Sequence, residues 1–251
     1  NENIQDDTDT LLKRRHDVLG TELALFYSRP VHVERGRGPW LYDVQGKAYL
    51  DCYNNVPVVG HCHPHVVKAI SRQTGALNTN TRYIYRNILD YAERLTSGMP
   101  DNLSVCVFVN SGSEANDIAM RMARFATGQH GALVMHNAYH GITESTIDLS
   151  PYEVKEEDLA PHVRTLMSPD PYRGIYKHGE SDLAESYAAD TDRAIEDLAR
   201  NGYKLAAGMI DTAFISNGIP DVPDGYLAAV TKKIQAAGGV LIADEVQAGF
   251  G

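Results

Sequence analysis

The stretch from Val105 to Ala126 constrains this chain most. Val105, Cys106, Val107, Phe108 and Val109 form an uninterrupted apolar run bounded by turn-forming residues, the pattern of a strand buried on both faces. Asn110-Ser111-Gly112-Ser113-Glu114-Ala115-Asn116 follows, and then Ala115, Ile118, Ala119, Met122 and Ala126 recur at helical spacing, with Arg121 and Arg124 off that stripe. The pattern predicts a buried strand, a tight turn and a helix that packs through those five residues. Free backbone N–H groups and the positive end of the helix dipole converge on Ser111-Gly112-Ser113, where Gly112 lets an anion approach the main chain. A phosphate suits that position. Ser111 and Glu114 also have the spacing of a capping box, in which case the turn starts the helix and binds nothing. The stretch has neither the spacing of Gly-x-Gly-x-x-Gly nor a Gly-Lys-Ser/Thr, which sets it apart from the common nucleotide-binding loops.

Elsewhere the pattern alternates. Residues 11–20 read as a short helix. Short strand patterns at 31–35, 40–42 and 48–50 surround the turn Asp43-Val44-Gln45-Gly46 and make a small antiparallel meander. Residues 65–77 and 87–98 are amphipathic helices, Ala132-Leu133-Val134-Met135 is a short apolar strand, and the proline-bearing stretch 150–180 reads as loop. A long helix over 181–201, a strand from Leu205 to Ile210, a helix over 225–237 and a strand from Val240 to Ala243 complete the series. Alternation of this kind with continuous apolar strands means a mostly parallel sheet in an α/β domain. The expected division is residues 1–60 as an N-terminal segment and meander, and residues 61–251 as the large domain. Asp211 and Asp244 both fall at strand carboxyl ends, where ligands collect in such sheets, and should share a rim with the Ser-Gly-Ser turn. Tyr139 and His140, after the strand that ends at Met135, are candidates to lie against a planar group there.

Charge and composition narrow the class. A formal net charge of −10 over 251 residues leaves no basic footprint for nucleic acid. No apolar run nears the roughly 20 residues that span a bilayer, and no secretory signal opens the chain. Three cysteines, Cys52, Cys62 and Cys106, are too few and too unevenly placed for a disulfide scaffold and fit a reducing cytoplasm. His61, Cys62, His63 and His65 crowd together, yet no second ligand pair follows at zinc spacing and Pro64 reads as a helix start, so no metal is expected. The chain opens on Asn1 rather than Met, as expected of a processed start or an internal piece.

Three motifs in order, the Asn110–Asn116 turn, Tyr139-His140-Gly141 and Asp244-Glu245-Val246-Gln247-Ala248-Gly249-Phe250-Gly251, resemble the pyridoxal-phosphate site of the class III aminotransferase family. The resemblance runs from about Arg15 onward. It implies fold type I: a large α/β domain with a mainly parallel sheet, a small domain from the chain ends, and a homodimer with sites near the interface. It further implies pyridoxal 5'-phosphate as cofactor, held at its phosphate by Ser111, Gly112 and Ser113. Tyr139 would stack on the pyridine ring, Asp244 would pair with the ring nitrogen, Gln247 would bond the ring hydroxyl, and His140 would be a neighbour. The implied reaction transfers the amino group of an amine or amino acid through an external aldimine.

Two departures qualify the resemblance. The family's Schiff-base lysine lies some tens of residues beyond the Asp-Glu-x-Gln motif, and no lysine here matches it, since Lys232 and Lys233 precede Asp244. The chain is therefore expected to be the first part of a longer polypeptide, with a lysine-less, non-catalytic fragment as an alternative. Second, many family members have Glu-Pro-x-Gln-Gly-Glu where this chain reads Asp211-Thr212-Ala213-Phe214-Ile215-Ser216, so Ser216 replaces a glutamate that gates an α-carboxylate-binding arginine. Cys62-His63-Pro64, the run from Leu77 to Tyr83, Asp90-Tyr91-Ala92 and Tyr172-Arg173-Gly174 look like the ethanolamine-phosphate and phosphohydroxylysine phospho-lyases of the same family. In that subgroup a substrate phosphate is eliminated, and Arg82 and Arg173 become candidates to bind it; Asn54, in a loop, is a further candidate to line a pocket.

Overall fold

The computed structural model describes residues 7–23, 25–53, 58–152 and 154–250. The chain divides into two compact units, residues 1–84 and 85–251.

The first unit contains helix α1 (Thr8–Leu19), the antiparallel meander β1 (Val33–Arg37), β2 (Trp40–Asp43) and β3 (Ala48–Leu50), and helix α2 (Pro64–Ala76). Asp7 caps α1 by accepting from the Thr10 amide at 2.8 Å. One carboxylate organises the β2–β3 turn: Asp43 accepts from the amides of Gln45 and Lys47 and from the Tyr49 hydroxyl, each at 2.9 Å. Pro64 opens α2, where a missing N–H costs nothing. The His61 ring pairs with Asp51, Nε2 to Oδ2 2.8 Å.

The second unit is built from α3 (Arg86–Thr96), α4 (Gly112–Thr127), β4 (Gly131–Met135), α5 (Glu144–Ile147), β5 (Val163–Leu166), α6 (Leu183–Arg200), β6 (Leu205–Asp211), α7 (Tyr226–Ala236) and β7 (Val240–Asp244). Its four strands are parallel in the order β5-β4-β6-β7. All of β4 and β6 up to Ile210 is buried, as expected of inner strands covered by helices. Leu133, Met209 and Ile210 from the sheet pack with Tyr187 and Leu198 of α6 and with Tyr226, Val230 and Ile234 of α7. Gly208 permits that layer spacing, because a Cβ there would stand 2.4 Å from Cδ1 of Ile234.

Three expectations fail. Residues 105–109 make no strand ladder among the described residues, and Val105 and Val107 are 84% and 60% exposed. A continuous apolar run shows that a segment could pair, but a ladder also needs a neighbour for its backbone groups, and among the described residues none pairs with this one. It touches α3, with Phe108 stacked on Tyr91 at 5.4 Å and the Cys106 thiol 3.9 Å from the Ala92 carbonyl. The α4 stripe is also rotated: Asn116, Met120 and Ala123 are buried, while Met122 is 60% exposed. The polar Asn116 hid that face. Third, β5 lies inside the stretch read as loop; it is four residues long and its two middle residues, Arg164 and Thr165, broke the apolar pattern.

Candidate functional site

The start of α4 supplies the first half of the site. Ser111 is its N-cap, with extended backbone and a side-chain oxygen that accepts from the Glu114 amide at 3.2 Å. The capping box is only half made, because the Glu114 carboxylate accepts from the backbone amide of Asn110 at 2.6 Å, one residue earlier than the reciprocal bond requires. Gly112 is the first helical residue, and a Cβ there would lie 2.7 Å from Cγ2 of Val246. Ser113 accepts from the Ile142 amide at 3.2 Å, and a Cβ on Gly141 would come within 2.6 Å of its Oγ. The two glycines therefore let the 136–143 loop and the turn after β7 press against the helix start.

The second half is the carboxyl end of β7. Asp244 is 6% exposed. Its Oδ2 lies 2.7 Å from His140 Nδ1 and accepts from Asn116 Nδ2 at 2.8 Å, while Oδ1 accepts from the Val246 amide at 3.0 Å. Burial pushes this carboxyl up, but the His140 ring, the Val246 amide and the Asn116 amide outweigh it and hold the group below its ordinary value. An ionised carboxylate only accepts, so the His140 Nδ1 carries the proton between them. The His140 side chain is fully buried, and its Nε2 has no partner among the described residues. Its backbone is fixed as well: the His140 amide donates to Ser150 Oγ at 2.8 Å, and Asn116 Nδ2 donates to the His140 carbonyl at 2.9 Å.

Ser111, Gly112, Ser113, His140 and Asp244 thus lie on one rim of the sheet, at the carboxyl ends of β4 and β7. Tyr139, beside His140, is 48% exposed. Gln247 is half-buried in the turn that follows Asp244. Asp211 stands on the same rim, in register with Asp244, but its carboxylate accepts from the Ala213 and Ile215 amides at 3.0 and 2.8 Å and closes its own turn. Arg173 is exposed on the loop 170–176, with its guanidinium 6.0 Å from the Tyr172 ring centre. Arg82 belongs to the other unit, in a turn where its amide donates to Asn80 Oδ1 at 3.0 Å. Asn54 lies outside the described residues. Asn116 closes the Asn110–Asn116 motif, which assigned it no role, and no motif pointed to Ser150; a further signal for Asn116 was its spacing of i, i+4 and i+7 with the apolar Met120 and Ala123.

Known proteins are similar to this chain. The aminotransferase class-III family model matches residues 26–251. The chain is 39% identical to an alanine–glyoxylate aminotransferase 2-like protein of Drosophila melanogaster, over 97% of this chain and 51% of that protein. It is 35% identical to an ethanolamine-phosphate phospho-lyase homologue of Caenorhabditis elegans, over 97% of this chain and 55% of that protein. Among solved structures, an Arthrobacter phospholyase in complex with phosphoethanolamine superposes with a TM-score of 0.88 at 42% identity, covering 96% of this chain and 57% of that one. The chain thus spans about half the length of the curated relatives it matches. A taurine:2-oxoglutarate aminotransferase of Bifidobacterium kashiwanohense, at 24% identity and a TM-score of 0.81 over 98% of this chain and 57% of that one, shares the fold, in keeping with the expected fold type I α/β architecture. On the family match and these relatives, the chain belongs to the class III aminotransferases.

Proposed function

We propose that this protein is a pyridoxal-phosphate-dependent enzyme that transfers the amino group of a small amine or amino acid. The observation that carries the reading is the buried Asp244, held ionised by His140, Asn116 and the Val246 amide on the same rim as the N-terminus of α4. An isolated buried anion is costly, and a protonated ring nitrogen is the partner that it suits. Pyridoxal phosphate, when bound, supplies an electron sink for charge developing at the substrate carbon. Asp244 keeps a proton on the ring nitrogen, Ser111, Gly112 and Ser113 hold the phosphate through backbone and hydroxyl donors, Tyr139 covers a ring face, and Gln247 bonds the ring hydroxyl. The donor set fits the group: the N-terminus of α4 with its Ser111 cap suits a phosphate, and the buried carboxylate of Asp244 on the same rim suits a protonated ring nitrogen.

A second reading is elimination of phosphate from an O-phosphorylated amino alcohol. It is favoured by Ser216 in place of the gating glutamate, and by the 42% identity to a phospholyase crystallised with phosphoethanolamine. In that reading Arg173, exposed on the loop 170–176, binds the substrate phosphate. One assay separates the two. The whole protein, supplied with pyridoxal phosphate, is given phosphoethanolamine alone and then small amines with a 2-oxo acid. Release of inorganic phosphate without an oxo acid supports elimination; oxo-acid-dependent formation of a new amino acid supports transfer. Borohydride reduction followed by intact mass tests both against a non-catalytic role, which is the outcome if no pyridoxyl group is fixed to the protein.

The same reading makes the protein a homodimer of the cytoplasm, to be checked by light scattering and by localising a tagged protein. Cys52 and Cys62 are exposed and all three cysteines are free, which suits a reducing compartment. Among the described residues no helix is long and apolar enough to cross a membrane.

A further inference from the structure

Asn116 is the fifth residue of α4, one turn beyond Gly112, and 5% exposed. A side-chain amide has two N–H donors on one nitrogen. Here that nitrogen serves two acceptors from different elements, the His140 carbonyl at 2.9 Å on the loop after β4 and Asp244 Oδ2 at 2.8 Å at the end of β7. One side chain thus ties together the helix that begins at the anion-binding turn, the loop that carries Tyr139 and His140, and the strand that presents the acid. The second torsion of an aspartate is soft, so a carboxylate held by one donor on each oxygen still has freedom to swing. Asn116 and His140 approach the same Oδ2 from opposite elements, while Val246 holds Oδ1.

We propose that Asn116 is a positioning residue: its amide orients the Asp244 carboxylate relative to the start of α4, so that the anion turn and the acid act on one bound molecule. The inference rests on the reading of the site as one for pyridoxal phosphate. It needs no contact between Asn116 and the cofactor, since the proposed effect passes through Asp244.

The test is a mutant cycle in the whole protein, read by cofactor binding rather than turnover. Asn116→Ala and Asn116→Leu both remove the donor, and the leucine keeps the branched shape and leaves no cavity, so a cavity effect on folding is separated from loss of the hydrogen bond. Each is made alone and together with Asp244→Ala. Pyridoxal phosphate is titrated by fluorescence quenching, the absorption maximum of the bound cofactor is recorded, and Tm is measured alongside. Loss of a hydrogen bond to a charged group predicts a rise of about tenfold in Kd for either Asn116 variant, with the absorption maximum moving toward that of Asp244→Ala. In the Asp244→Ala background the same substitutions should change Kd by less than about twofold, the signature of residues acting through one another. Variants that lower Tm but leave Kd and spectrum unchanged, or whose effects on Kd add in full to that of Asp244→Ala, overturn the inference. If Asp244→Ala itself binds the cofactor as tightly as the unaltered protein, the reading on which the inference rests falls instead.

Discussion

Gly112 and Val246 are in mutual contact because one of them lacks a side chain: a Cβ on Gly112 would sit 2.7 Å from Cγ2 and 2.9 Å from Cγ1 of Val246. The close approach is what lets the turn after β7 rest against the first turn of α4. Since Val246 also donates its amide to Asp244 at 3.0 Å, a displacement of that turn reaches the acid directly.

Gly112→Ala should therefore destabilise the protein by about 1–3 kcal/mol, the range for overpacking, because a β-branched valine cannot rotate both methyl groups away. Thermal melting checks the size. The double variant Gly112→Ala with Val246→Ala should recover most of the loss; if it does not, the clash with Val246 is not its cause.

Asp244 makes stability depend on acid pH. Its carboxyl is held below the ordinary value of 3.8 in the folded chain: burial alone would raise it, and the His140 ring, the Val246 amide and the Asn116 amide more than offset this. The folded state therefore binds that proton less readily than the unfolded chain does, so the contribution is present above pH 3.8 and is lost as pH falls from there through the folded-state pKa. Urea unfolding of the wild type and of Asp244→Asn at stepped pH should show a stability difference that is constant near neutrality and shrinks below that point. A difference independent of pH would contradict the assignment.

Tyr187 should govern the loop that carries Arg173. Its hydroxyl lies 2.8 Å from the carbonyls of Asp170 and Tyr176 and accepts from the Tyr176 amide at 3.3 Å, and a Cβ on Gly174 would fall 2.3 Å from it. Burial also raises the phenol above its ordinary value, so it stays protonated and able to donate throughout the useful pH range. Tyr187→Phe keeps the ring and removes the hydroxyl, at a cost of about 1–3 kcal/mol for the backbone groups left unpaired. Limited trypsin digestion should then cut faster after Arg173 and Lys177, while cleavage elsewhere is unchanged. Equal cleavage rates in the two proteins would show that the loop is held by other contacts.

Much of the candidate site is legible in the sequence. The Ser111 cap, the helix beginning at Gly112, the strand ending at Asp244 and the histidine beside Tyr139 all follow from local chemistry: a hydroxyl one residue ahead of a helix, a glycine where backbone must be reached, and apolar runs that stop at an acid. The alternation of strands with helices also dictates a parallel sheet, because parallel neighbours need a crossover between them. These features need only residues close in the chain.

Other features depend on partners far away. Val105–Val109 has the composition of an inner strand but no described neighbour to pair with, and the polar Asn116 concealed the buried face of α4. The two aspartates show the difference most directly. Asp211 and Asp244 look alike in sequence, each closing an apolar strand, and they face each other across β6 and β7. Asp211 spends its oxygens on the amides of Ala213 and Ile215, two and four residues away. Asp244 receives donors from His140 and Asn116, 104 and 128 positions away along the chain, beside the local Val246 amide, and these donors together hold it ionised while buried. Sequence determined where acids would stand on the rim; the folded chain decided which donors each one received, because side chains distant in sequence meet only in the tertiary structure.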